Sequence, residues 1–178
     1  MEKEEKAIIL DFLPHGYPLE GRMIPIAQAI GAEYLTLLQL VPRKGTTLQL
    51  REEVYIGEGK RDKISYIYGR LPKEKLTETA KYQLEEFIKQ FVEQKESKFV
   101  EFFNKADPIN TRLHQLELLP GFGKKHTMAI IKEREENPFK SFNDIKERIK
   151  NIPSPQKAVE KRILEELESK VKYRLFVS

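Results

Sequence analysis

Up to about residue 71 the apolar residues come in short runs. They are rich in β-branched and aromatic side chains and punctuated by Gly and Pro, which is the pattern of strands and turns. Lys6–Leu13 (KAIILDFL) is the first run and stops at Pro14-His15-Gly16-Tyr17-Pro18. Residues 34–41 (YLTLLQLV) form the next, ending at Pro42-Arg43-Lys44-Gly45, and runs at 47–50, 54–56 and 63–71 follow. Residues 57–62 read as a hairpin loop between the last two, and a single short helix is expected over 23–30 (MIPIAQAI). Five short strands in about 65 residues predict a small barrel, because closing a sheet removes its exposed edges. An OB-type barrel is the commonest five-stranded solution of that size, with an SH3-like barrel as its competitor.

From Leu76 onward the period becomes helical. Ala80, Leu84, Ile88, Phe91 and then Phe99, Phe102 and Ala106 recur three or four apart, and Thr77 stands where a cap is needed. Lys95 and Ser97 interrupt the stripe, which leaves one kinked helix and two shorter ones both open; Asp107-Pro108 ends it. Four short helices are expected beyond: 111–118 with Leu113 and Leu116, 124–136 with Thr127, Ile130 and Ile131, one from Ser141 with Ile145 and Ile149, and a last from Ser154-Pro155 with Val159, Ile163 and Leu167. The expected organisation is an α+β, multidomain chain: an OB-like five-stranded β-barrel over 1–72, a connecting long helix over 73–106, and an all-α domain over 107–178. Barrel and helical domain are each small for independent stability, so the connecting helix is expected to pack on both.

The segment with most chemical content is Leu119-Pro120-Gly121-Phe122-Gly123-Lys124-Lys125. Pro120 stops the incoming helix, and the two glycines allow a tight turn with close backbone approach. The outgoing helix then begins with unpaired N–H groups and the positive end of its dipole, a ready site for a phosphate oxygen. Lys124, Lys125 and His126 stand beside it, while Phe122 is expected to plug the core between the two helices. Over residues 116–131 this resembles a helix-hairpin-helix motif, a sequence-independent binder of nucleic-acid backbone, with Thr127 where that motif usually carries Ala. A second copy follows: Ile145 and Ile149, Ile152-Pro153-Ser154-Pro155, then Lys157, Val159 and Ile163. It lacks both glycines, and Pro155 has no N–H to offer, so its expected role is structural.

Charge sharpens this picture. The 178 residues carry 32 Lys plus Arg against 28 Asp plus Glu, and the whole surplus lies in residues 107–178, with 15 basic and 11 acidic side chains. One hairpin meets only one or two phosphates, so useful affinity needs a second surface. The barrel offers Arg43 and Lys44 in one loop, Lys60, Arg61 and Lys63 in another, and Arg70 beyond them, with Tyr66 and Tyr68 alternating on the strand between and Tyr55 on another. Basic loops flanking exposed aromatics hold single strands by base stacking. Tyrosines that only pack, beside ordinary solvated turns, are the alternative.

Much chemistry is missing from the sequence. Without Cys there are no disulfides, thiolate nucleophiles or Cys-based zinc sites. The three His are far apart without a metal-ligand spacing, and Leu118 replaces the first Gly a Walker motif would need. Asp144 lies where helix-hairpin-helix glycosylases carry a catalytic Asp, but in a helix-start context without the surrounding motif. No cofactor and no enzymatic activity are expected. No apolar run approaches the roughly 20 residues of a membrane span, and the acidic start is unlike a signal peptide, so the expectation is a cytoplasmic, non-membrane protein.

The full pattern resembles one archaeal group, domain-of-unknown-function family 655. It is carried by the short-stranded barrel, the long helix, and Leu113-His114-Gln115-Leu116-Glu117-Leu118-Leu119-Pro120-Gly121-Phe122-Gly123-Lys124-Lys125-His126 leading to Pro138-Phe139-Lys140-Ser141-Phe142-Asn143-Asp144-Ile145-Lys146-Glu147-Arg148. The resemblance implies an OB-like barrel joined to tandem helix-hairpin-helix units, a nucleic-acid-binding role and an archaeal source. The reading is a non-enzymatic nucleic-acid binder, RNA favoured over DNA by the single-strand character of the barrel. The competing reading is a protein-interaction module within a DNA or RNA processing complex.

Overall fold

Short apolar strands separated by turns fold residues 6–70 into a curled, five-stranded antiparallel sheet, two of whose inner strands are buried throughout. The computed structural model describes residues 3–21 and 23–178. The strands are β1 (Lys6–Leu13), β2 (Ile26–Gly31), β3 (Leu37–Pro42), β4 (Glu53–Tyr55) and β5 (Ile64–Arg70), in the spatial order β4-β1-β2-β3-β5. A bulge in β1 between Ile9 and Asp11 lets Ile9 and Leu10, neighbours in sequence, both be fully buried. Ala7, Ile9, Ala27, Ala29, Leu38, Leu40, Val54, Ile56 and Ile64 fill the inner face, with Phe12 packed against them.

In this part of the chain the structure differs from the sequence expectation at four points. Residues 26–31 are strand β2 and not part of a helix. The strand is buried on both faces, so its sequence shows no polar alternation, and Ile26 and Ile30, four apart, mimic a helical stripe. Residues 47–50 are not a strand; Gln49 and Glu52 close a turn there, with Arg51 at φ +69°, although Leu48 still enters the core. Residues 57–62 do not close a hairpin, because β4 pairs with β1 and β5 pairs with β3, leaving β4 and β5 as the two edges of the sheet. The expected closed barrel is therefore an open, curled sheet.

The outer face carries two buried glutamines. Gln28 donates to the carbonyl of Lys75 (2.6 Å) and accepts from the N–H of Thr77 (3.1 Å), while Gln39 accepts from the Tyr17 hydroxyl (2.7 Å) and donates to the carbonyl of Arg70 (2.8 Å). Thr77 caps helix α1 (Glu78–Gln94) by accepting from the N–H of Ala80 and donates its hydroxyl to Asp11 at 2.6 Å. The start of α1 is thereby tied to the sheet.

Of the two alternatives left open at Lys95, two helices are found: α1 ends at Gln94 and α2 (Glu96–Lys105) begins after Lys95 at φ −110°, ψ 32°. Beyond them lie α3 (Lys124–Glu136), α4 (Phe142–Arg148) and α5 (Pro155–Glu168). The expected helix over 111–118 is reduced to a 3-10 turn, Gln115–Leu118. Ahead of it the Asn110 side chain accepts from Arg112, and Ile109 pairs with Leu113, so a tight loop takes up those residues. The chain divides into two compact units: Met1–Phe87 with Leu167–Lys170 and Val177–Ser178, and Ile88–Glu166 with Val171–Phe176. In the second unit Arg162 and Glu166 form a buried pair at 3.0 Å. Glu166 also accepts from the N–H groups of Leu175 and Phe176.

Candidate functional site

The hairpin begins where the 3-10 turn runs out at Leu119. Gly121 adopts φ +83°, a conformation side-chain-bearing residues avoid, and the Phe122 N–H closes the turn onto the Leu119 carbonyl at 3.0 Å. Phe122 is buried against Phe103 and gives packing rather than a contact surface. Gly123 is the N-cap of α3, and its N–H is taken: it donates to Nδ1 of His126 at 3.2 Å. The N–H groups of Lys124, Lys125 and His126 have no partner among the described residues, and Gly121, Gly123, Lys124 and Lys125 are exposed. The opening was expected to present unpaired N–H groups; of the four from Gly123 to His126, the first is bonded internally and three have no partner among the described residues.

The flanking cations differ in freedom. Lys124 Nζ donates to Glu117 Oε1 (3.0 Å) and to the Arg112 carbonyl (2.9 Å), and this contact pulls the Glu117 carboxyl below its usual range. Lys125 makes no such bond and is exposed. Across the same unit the turn before α5 abuts this one: a Cβ on Gly121 would lie 3.4 Å from Pro153. Ser154 caps α5 by accepting from Lys157, and Ser141 caps α4 by accepting from Asp144. That last bond gives Asp144 a structural setting, extended by its contacts to Lys140 and Arg148.

In the first unit, the loops after β3 and β4 are joined. Arg43 bonds through its N–H to the Lys63 carbonyl and through Nε to the Arg61 carbonyl, both at 2.8 Å. This brings Arg43, Lys44, Lys60, Arg61 and Lys63 to one end of the sheet. Lys63 is neutralised by Glu52, Arg61 Nε is fixed on the Gly57 carbonyl at 2.8 Å, and Lys44 and Lys60 are exposed. Tyr66 and Tyr68 are 46% and 51% exposed on β5, enough for a ring face to be met from outside. Tyr68 borders a hollow with Tyr17, Glu20 and Ile24, and Arg70 lies exposed at the far end of the strand. Tyr55 is half-buried with its hydroxyl accepting from Gly59, and it sits on the opposite edge of the sheet from β5. A cavity of ≈660 Å³ opens where those two edges face each other, bounded by Ile56 and Gly57 on one side and Ile67 on the other.

With this geometry described, comparison with known proteins adds the lineage. The model of a protein family of unknown function, DUF655, matches residues 3–178. The chain belongs to this family. An uncharacterized protein of Methanocaldococcus jannaschii, MJ0038, is 44% identical over 176 residues, which span 98% of this chain and 80% of that protein. The crystal structure of Af1531 from Archaeoglobus fulgidus, also assigned to DUF655, has 45% sequence identity and a TM-score of 0.86, covering 98% of this chain and all of the other. Among the described residues of this DUF655 member, no helix is long and apolar enough to cross a membrane, and no group of His, Asp or Glu is arranged to hold a metal ion.

Several residues that shape the site escape a sequence reading. His114 opens the 3-10 turn with its Nδ1 accepting from Leu116 at 3.1 Å. Its Nε2 is buried without a partner, and burial, reinforced by Arg134, lowers its pKa. Arg148 stacks on Phe139 and donates to the carbonyls of Glu133 and Asn137, closing the end of α3. The Arg148 contacts have no local signal, since their partners lie eleven and fifteen residues away; His114 with Glu117 three residues on forms a local capping box, which a histidine in the cap position disguises.

Proposed function

We propose that this protein binds nucleic acid without chemistry, holding backbone phosphate at the opening of α3 and a single-stranded segment along the sheet unit. The observation that carries this is the set of three unbonded, consecutive N–H groups at Lys124, Lys125 and His126, at an exposed helix start reached through two glycines. We read residues 115–136 and 142–168 as tandem helix-hairpin-helix units. In the second, Ser154 and Pro155 take the place of the glycine turn, and its part is to brace the first through Pro153.

His126 is then more than a neighbour. In the free protein it occupies the Gly123 N–H, and an arriving phosphate offers a stronger acceptor for that donor while the imidazole turns to the anion. Titration of mixed-sequence oligonucleotides at several salt concentrations tests the reading. Binding should weaken as salt rises, and Lys124→Glu with Lys125→Glu should remove about one unit from the log–log slope. A folded protein that shows no salt-dependent binding sinks the proposal. A second reading, docking of a protein partner on the helical unit, draws on a groove of ≈300 Å³ lined by Phe99, Phe102, Leu175 and Phe176.

A further inference from the structure

The ≈660 Å³ cavity between the sheet edges falls within the roughly 300–1,000 Å³ of small-molecule sites. Its walls are Leu38, Ile56 and Ile67, the first two buried and the third 38% exposed at the mouth. Open sheet edges alone would not leave such a space; it persists because β4 is only three residues long and two bulges bend β5. Three polar groups reach it. The Arg61 guanidinium is oriented by its Nε bond to Gly57, and its two terminal nitrogens have no partner among the described residues. The Thr36 hydroxyl is likewise without one. The third is the Glu5 carboxylate, which stands so close to Gly57 that there is no room for a Cβ at that position. Glu4, also at the rim, is committed elsewhere: its carboxylate accepts from the N–H groups of Glu33, Tyr34 and Thr36.

We propose that this cavity takes one unstacked base of a single-stranded nucleic acid, whose adjoining phosphates lie on Arg61 and the neighbouring Lys60, Arg43 and Lys44. Aliphatic walls accept the faces of a planar ring, and the Thr36 hydroxyl and Glu5 carboxylate offer hydrogen bonds to its edge. Arg61 links the two parts, since it lines the cavity and belongs to the basic cluster at once. A purely apolar ligand would leave those polar groups unanswered; the lining itself carries Glu4, Glu5 and Glu58 beside Lys3 and Arg61, with Lys3 paired to Glu58, so it is the loop cations outside it, Lys60, Arg43 and Lys44, that favour an anionic chain. This inference rests on the proposed nucleic-acid reading and adds where a base is read.

The test uses the full chain and a set of ten-nucleotide single strands, RNA and DNA, each with 2-aminopurine at a different position. If a base enters the cavity, one position is shielded from acrylamide quenching on binding. Thr36→Leu, which adds bulk to the lining and removes the hydroxyl, and Ile67→Ala, which opens the wall on an exposed edge strand, should each abolish that shielding. They should weaken binding about tenfold, the scale of losing one stacked base. The salt slope should stay as it was. Salt-dependent binding with no shielded position in the wild-type protein overturns the cavity and leaves backbone binding intact. So does shielding that both variants retain while folded. Absence of oligonucleotide binding overturns both readings.

Discussion

At the residue scale the two hairpin glycines do different work. Gly121 sits at φ +83°, where a side chain costs about 1–2 kcal/mol, whereas Gly123 sits at φ −110° with open space around its absent Cβ. Gly121→Ala should therefore lower stability by about that amount in thermal or denaturant unfolding, and Gly123→Ala should cost less, only the preference of a helix N-cap for Gly over Ala. Any loss of oligonucleotide binding in the second variant then reports obstruction of a contact. His114 gives a prediction of another kind. Its folded pKa lies below the unfolded value, so between the two the unfolded chain binds more protons, and stability falls as pH drops below about 6.5. Asp107 and Glu117 act in the opposite sense but do not reverse the shift. His114→Asn keeps an acceptor for the Leu116 N–H and cannot titrate, so melting curves at pH 7 and 5.5 should lie closer together than in the wild type. The Glu117 carboxylate also loses stability on acidification, but lower, below about pH 4.5, so the two windows separate. The residue types at the hairpin were legible in the chain. Their commitments were not, because the Gly123–His126 bond and the Lys124–Glu117 pair are set by side-chain direction rather than spacing.

Elements were legible where an amphipathic period or a cap marked them. Thr77, Ser141 and Ser154 predict helix starts that occur, and Asp107-Pro108 marks the end of α2. Strand β2 was illegible because burial on both faces erases alternation, and the first half of the helix expected over 111–118 because backbone pairing of Ile109 with Leu113 outcompetes it. The Thr77 cap is testable in isolation from any ligand. Its hydroxyl accepts from Ala80 and donates to Asp11, so Thr77→Ala removes both bonds and should cost about 1–2 kcal/mol. Thr77→Ser should be close to wild type. The expected signature is a lower denaturant midpoint with unchanged slope.

For the whole molecule, the quantity that decides the proposed binding is how many cations meet one strand. The hairpin offers Lys125 freely and Lys124 only after it leaves Glu117, which is why two charge reversals there are expected to change the salt slope by about one unit and not two. Lys44 and Lys60 are exposed on the loops that Arg43 ties together, and neither carries a structural bond among the described residues. Lys44→Glu with Lys60→Glu should therefore leave the fold intact and lower the slope by about one and a half units, at roughly 0.7–0.9 per phosphate contact. Combined with the hairpin pair, the two losses should add when one oligonucleotide engages both surfaces at once. A loop pair that leaves the slope unchanged, with the hairpin pair still effective, would confine binding to α3 and remove the sheet unit from the contact. Lengthening the strand separates the cases further, since only a ligand long enough to reach both surfaces can show the additive slope.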